Sequence, residues 1–192
     1  MTASVARTLN GLGLAAVSLI LIVAFADQIV LGELPCPLCI LQRVGFVGAT
    51  LGLALNVKFG PRPSHYAVVI ISAFAGAMVS LRQTLLHIVP GTGTYGSAIM
   101  GMHFYTWALV IYFLIILGCA VMLLFDRQFM ATCEGMPDRP QRSWSAAFAS
   151  AIIGLAALLA LANGVSTVLE CGGGLCPDNP VDYLLWPGRP RP

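Results

Sequence analysis

Residues 12–30 read LGLAAVSLILIVAFADQIV, with Asp27 as the lone ionisable side chain. A helix of this length crosses the hydrocarbon core of a bilayer, which takes roughly 20 residues. The run leads into Asp27, Gln28 and Glu33 rather than a small-residue cleavage site, and it is long for the apolar part of a secretory leader, so it reads as a retained anchor. Four similar runs follow at about 40–57, 66–89, 103–125 and 144–169, the second being the shortest. Gly60-Pro61-Arg62-Pro63, Pro90-Gly91-Thr92-Gly93 and Pro137-Asp138-Arg139-Pro140 punctuate them. In lipid every backbone amide must bond within its own segment, so the runs are predicted to be helices. The expected fold is all-α: a polytopic membrane bundle of five transmembrane helices in one integral membrane domain over residues 1–192, with residues 170–192 as an external tail.

Composition agrees. The chain is 58% hydrophobic and 9% charged, with a mean hydropathy of +0.86. Soluble domains carry about 25% charged residues, and so little charge could not keep a surface in water. The net charge of +2 comes with no basic stretch suited to nucleic acid, which sets that class aside. There is no internal repeat and no low-complexity segment.

Short loops rich in Lys and Arg stay in the cytoplasm. With the N-terminus inside, Arg7, Lys58, Arg62, Arg127, Arg139 and Arg142 are cytoplasmic. Arg189 and Arg191 fall outside, at the end of the tail, and Arg43 and Arg82 sit within spans near their outer ends. The expected topology is N-in, C-out. It sorts the six cysteines. Cys36 and Cys39 lie in the first outer loop, and Cys171 and Cys176 in the outer tail. Cys119 is inside the fourth span, where a cysteine behaves as a small buried hydrophobe. Cys133 faces the reducing cytosol without a partner. Neither singleton is assigned a catalytic role.

Cys36-Pro37-Leu38-Cys39 closes a very small ring, poorly suited to stapling a fold and well suited to redox exchange. It opens the second helix, whose dipole favours a thiolate there. Arg43 follows Cys39 by four residues, hence on the same helical face. A guanidinium at the membrane boundary can stabilise the Cys39 thiolate, or hydrogen-bond a carbonyl oxygen of a quinone. The plainer alternatives are half of a structural zinc site, or a snorkelling arginine beside a passive disulfide.

The string Pro35-Cys36-Pro37-Leu38-Cys39-Ile40-Leu41-Gln42-Arg43, entering the second membrane helix of a small polytopic chain, resembles the DsbB family of quinone-dependent disulfide-generating proteins. The resemblance is close over residues 31–43 and looser, as an arrangement, over the first three spans. It implies a multi-pass protein of the bacterial inner membrane with its active site on the periplasmic side. It implies a disulfide-generating protein-dithiol:quinone oxidoreductase, with ubiquinone or menaquinone as electron acceptor and a DsbA-like, thioredoxin-fold periplasmic protein as dithiol donor. On the matching positions, Cys36 and Cys39 pass electrons to the quinone, Cys39 contacts it and Arg43 supports it.

Better-known members have four helices and a second cysteine pair in a long outer loop between the third and fourth. Here the corresponding stretch, residues 90–101, is short and has no cysteine. A fifth span instead delivers Glu170-Cys171-Gly172-Gly173-Gly174-Leu175-Cys176-Pro177 to the same side, resembling a branch with a C-terminal cysteine pair. The expected arrangement is a four-helix redox core with the fifth helix presenting the tail. A Cys171–Cys176 ring is six residues long with three glycines inside, and its closure contributes only about 2 kcal/mol. The glycines suggest a mobile, exposed electron acceptor. The tail pair is therefore expected to take electrons first and the loop pair to deliver them; a staple that merely orders the chain end is the alternative.

His87 and His103 flank the short outer loop. His87 and His103, paired with Arg82 and Gln83, are candidates for the quinone headgroup site together with Arg43; haem ligation or ordinary interfacial polarity are the alternatives. Asp27 can pair with Arg43 or Arg82, or relay a proton. Tyr95, Tyr105, Trp107, Tyr183 and Trp186 read as interface-belt aromatics. Gly45, Gly48 and Gly52 repeat along the second helix and suit tight helix contact. No metal site is expected. The competing functional class is a membrane haem or metal carrier with Cys and His ligands, against which Arg43 puts a cation beside the ligand pair.

Overall fold

The computed structural model describes residues 1–89, 91, 98–133, 143–178 and 180–186, without the side chains of residues 99, 131–133 and 143–145. The Pro137–Pro140 breaker, Arg139, Arg142, Arg189, Arg191, Tyr95 and the Cys133 side chain thus lie outside the described residues, as does most of the 90–101 loop.

Among the described residues, five helices are long and apolar enough to cross a membrane: α1 (Ala3–Val30), α2 (Pro37–Phe59), α3 (Pro63–Leu86), α4 (Phe104–Leu123) and α6 (Ser143–Cys171). The chain is an all-α, multi-pass membrane protein. The helix ends follow local chemistry. Thr2 caps α1, its hydroxyl accepting from the Val5 amide at 3.4 Å. Pro37 and Pro63 occupy the first turns of α2 and α3, where a missing N–H costs nothing. Gly60, at φ +89°, stops α2 before the turn into α3.

α1 begins nine residues before the apolar run at residue 12. Its polar first turns stay helical because Asn10 is buried and bonded, donating to the Ala6 carbonyl at 2.8 Å and to the Tyr66 hydroxyl at 2.7 Å. The short helix α5 (Arg127–Cys133) was not anticipated from the sequence. It is pinned through Gln128, whose Oε1 accepts from the Tyr66 hydroxyl at 3.1 Å. Asn56 Nδ2 donates to Asn10 Oδ1 at 3.0 Å and completes a buried polar knot at this end of the bundle. In the stretch between α3 and α4, β1 (Ala98–Ile99) and β2 (Met102–His103) form a two-residue antiparallel ladder.

α2 is central, packing against α1, α3 and α6, while α4 lies on α3 and α6 also touches α1. α2 and α3 approach closely because the glycines permit it. A Cβ on Gly45 would stand 2.9 Å from Gly76 Cα, and one on Gly52 2.7 Å from the His65 carbonyl oxygen. The core between the helices holds Leu14, Leu21, Phe46, Ala49, Ala73 and Tyr112. Leu19, Phe113, Leu117 and Leu161 point outward. Apolar surface this extensive needs lipid rather than water around it.

Candidate functional site

Both outer cysteine pairs are disulfides, Cys36–Cys39 with Cα atoms 5.0 Å apart and Cys171–Cys176 at 4.4 Å. They lie at the same end of the bundle, opposite the Asn10 knot. The loop pair starts α2, beside the C-terminal ends of α1 and α3; the tail pair starts at the C-terminal end of α6. Cys119, buried in α4, is a free cysteine.

The loop pair is built into the helix start. Cys36 is the N-cap of α2, its Sγ accepting from the Cys39 amide at 3.2 Å. From α3, Gln83 aims its side-chain amide at both sulfurs, 3.4 Å from Cys36 Sγ and 3.6 Å from Cys39 Sγ. Gln83 is 1% exposed, and its Oε1 accepts from Gln42 Nε2 at 2.7 Å. Cys39 borders a cavity of about 370 Å³, whose wall includes Gln42, Arg43, Asp27, Tyr105 and Trp107 and whose lining is otherwise mostly apolar. Tyr112 holds the α2 backbone behind it, its hydroxyl donating to the Gln42 carbonyl.

Arg43 lies on the cavity wall with Cys39, but its described hydrogen bonds run to α1. Nη1 donates to Gln28 Oε1 at 2.5 Å and Nη2 to the Ala24 carbonyl at 2.8 Å, and the guanidinium lies 5.3 Å from the Phe25 ring centroid. Asp27 and Glu170 are near enough to act electrostatically on this cation. Gln28 then turns to the tail, its Nε2 donating to Ser166 Oγ of α6 at 2.9 Å and to the Tyr183 hydroxyl at 2.8 Å. One chain of polar contacts thus runs from the helix of the loop pair, through α1, to the helix and tail of the second pair.

The tail folds back on its own helix. Gly172 (φ +61°) and Gly173 (φ +77°) take left-handed conformations that end α6, and the Leu185 amide donates to the Leu169 carbonyl at 3.0 Å. Two of the three glycines therefore build a turn. Tyr183, read from sequence as an interface aromatic, is instead a hydrogen-bonding partner of Gln28.

The remaining candidates divide. His87 bonds through Nδ1 to the Gln83 carbonyl at 2.8 Å, and its ring centroid is 5.3 Å from that of Tyr105. His103 stacks on Tyr105 as well, at 5.4 Å. The two imidazoles thus pack against a tyrosine of the cavity wall and do not line the cavity. Arg82 lies apart from it, in a surface depression formed with Met78, Leu81, Leu85 and Leu86 of its own helix. Among the described residues, no three His, Cys, Asp or Glu side chains converge into a metal-holding group. The sequence reading missed the place of Gln42 and of Gln28, and put Gln83 beside Arg82 without its link to the sulfurs. A glutamine inside an apolar span was the signal, since a buried amide needs partners.

A family model described as "Disulfide bond formation protein DsbB" matches residues 6–94. Proteins named disulfide bond formation protein B are similar to part of the chain. The one from Marinobacter nauticus is 44% identical over 75 residues, 37% of this chain and 45% of that protein. The one from Aromatoleum aromaticum is 37% identical over 67 residues, 33% of this chain and 40% of its own. The one from Chromobacterium violaceum is 44% identical over 71 residues, 35% and 43% of the two chains. The match thus spans less than half the length of these relatives. No solved structure matches. Residues 6–94, which span nearly all of α1, all of α2 and α3 and the Cys36–Cys39 pair, are thus similar to the DsbB disulfide bond formation protein family.

Proposed function

We propose that the protein is a protein-dithiol:quinone oxidoreductase of the bacterial inner membrane. It oxidises a DsbA-like, thioredoxin-fold dithiol protein on the periplasmic side and delivers the electrons to ubiquinone or menaquinone. The N-terminus is cytoplasmic and both disulfides face the periplasm. The observation that carries this reading is Cys39 on the wall of an apolar cavity, with Arg43 on the same wall and the Gln83 amide on its sulfur.

The cavity suits a flat, apolar headgroup with carbonyl oxygens at its edge. Its lining is mostly apolar, with Arg43 and Trp107 among the wall residues. A quinone bound there supplies the sink for two electrons and two protons. The chain's own residues do the rest. A donor thiolate opens Cys171–Cys176, and the donor's second thiol resolves the mixed disulfide, leaving the tail as a dithiol. A tail thiolate then opens Cys36–Cys39 in the same way and the tail disulfide re-forms. Gln83 and the start of α2 stabilise negative charge on the loop sulfurs. Arg43, anchored by Gln28 and the Ala24 carbonyl, places a positive charge on the wall of the cavity that Cys39 also borders.

Purified protein given reduced donor and quinone tests this. The expected result is one quinone consumed per donor disulfide formed, with turnover lost when Cys36 and Cys39 are both replaced by serine. Donor oxidation without quinone consumption, or a haem Soret band in the active protein, would overturn it.

A further inference from the structure

The two sulfurs of the tail disulfide are not equivalent. Cys171 is the last residue of α6 and is 5% exposed. Cys176 is half-buried, on the far side of a turn. Its neighbour Leu175, at 98% exposed, marks the crest where this turn stands clear of the bundle. The turn is fixed rather than slack. Its left-handed Gly172 sits against Leu184, where an added Cβ would stand 3.4 Å from Leu184 Cβ, and the Gly174 amide donates to the Cys171 carbonyl at 3.0 Å. The Leu184 and Leu185 amides return to the carbonyls of Glu170 and Leu169, so the tail closes over the base of Cys171.

Resting on the reading of the tail pair as the donor's point of entry, we propose that this disulfide is used in one direction only: the donor thiolate attacks Cys176, and Cys171 is the sulfur that retains the electron pair for the protein. The donor sulfur bonds to Cys176 Sγ, the Cys171–Cys176 bond breaks, and Cys171 leaves as a thiolate. The donor's second thiolate then attacks its own sulfur in the mixed disulfide, and Cys176 leaves as a thiolate. The donor has lost two electrons, the tail has gained them, and the two thiol protons pass to solvent or to the new thiolates.

Two effects oppose each other here, and their sizes decide. A thiolate on Cys171 stands at the negative end of α6, an unfavourable place by about tenfold or less. That tenfold-or-less handicap on the leaving group is smaller than the consequence of burying the alternative target. Exchange needs the attacking sulfur in line with the bond it breaks, and a residue only 5% exposed gives a protein-borne thiol far less approach than half-buried Cys176.

The test uses full-length protein in detergent with Cys36 and Cys39 replaced by serine, so that electrons stop at the tail. A thioredoxin-fold donor whose second cysteine is serine is added, the reaction is quenched in acid, and the linked peptide is identified by mass. The expected link is to Cys176. A link to Cys171 overturns the inference and leaves the function intact. No link at all, with the tail disulfide intact beforehand, overturns both. In the reduced tail, a polymer-bearing maleimide is expected to modify Cys176 at least about tenfold faster than Cys171; equal rates contradict the asymmetry.

Discussion

Gln83 sits at the start of what can be tested residue by residue. Its amide reaches both sulfurs of the loop pair at 3.4 and 3.6 Å, and Gln42 fixes its orientation. An N–H aimed at sulfur favours the thiolate over the disulfide, which makes the pair easier to reduce. Replacing Gln83 by leucine should therefore lower the midpoint potential of Cys36–Cys39. A hydrogen bond to a charged group is worth roughly 1.5 kcal/mol, so the drop should be about 30 mV. A redox titration with thiol trapping reads it, and an unchanged or higher potential would contradict the role. Arg43 gives a second case. Arg43→Ala should raise the apparent KM for quinone several-fold, and Arg43→Lys should recover only part of the loss, since a compact ammonium lacks the planar donor fork. Unchanged quinone kinetics in purified Arg43→Ala would remove it from the site. Cys36, Cys39 and Arg43 were legible in the sequence because their relation is local, within two helical turns. Gln83 lies 44 residues from Cys39, and its contact with the sulfurs exists only once α3 is packed on α2.

At the scale of elements, the link between the two cysteine pairs is Gln28 near the end of α1. It accepts from Arg43 of α2 and donates to Ser166 of α6 and to Tyr183 of the tail. Gln28→Leu keeps the volume and removes all three contacts. With protein donor, turnover should fall several-fold, and residues 180–186 should become more open to protease, while a small dithiol acting on the loop pair should lose less. Equal loss with both donors, and no change in proteolysis, would mean that Gln28 does not hold the tail. The long helices were readable because runs near 20 apolar residues have one solution in lipid. Their ends were less so. The Asn10 bonds carry α1 back to Ala3, and Gln128 organises α5 through a tyrosine 62 residues earlier. Neither pairing has a local pattern in the chain.

For the whole molecule, the claim with most reach is that both disulfides share one face of the membrane. The shared end follows from the packing; the periplasmic side is the proposed reading, motivated by the Arg and Lys of the short loops at the other end. In intact spheroplasts after mild reduction, an impermeant thiol reagent should modify Cys171 and Cys176 and spare Cys133. Modification of Cys133 from outside would invert the topology. The family match ends at residue 94, before α4, α6 and the tail, so the second half of the protein is understood from its own residues. There the sequence alone showed a cysteine pair delivered by a fifth span. It did not show that the tail doubles back onto α6, because that rests on the left-handed glycines and the Gln28–Tyr183 contact.

Quinone reduction by a protein donor, compared between the wild type and the Cys171→Ser, Cys176→Ser double variant, tests most directly whether the two pairs work in series. The wild type should consume quinone in step with donor oxidation. In the double variant the protein donor should support almost none, while a small dithiol should still reduce quinone through Cys36 and Cys39. Full turnover of the double variant with the protein donor would contradict the series: the tail would then be a staple, and the loop pair would work alone.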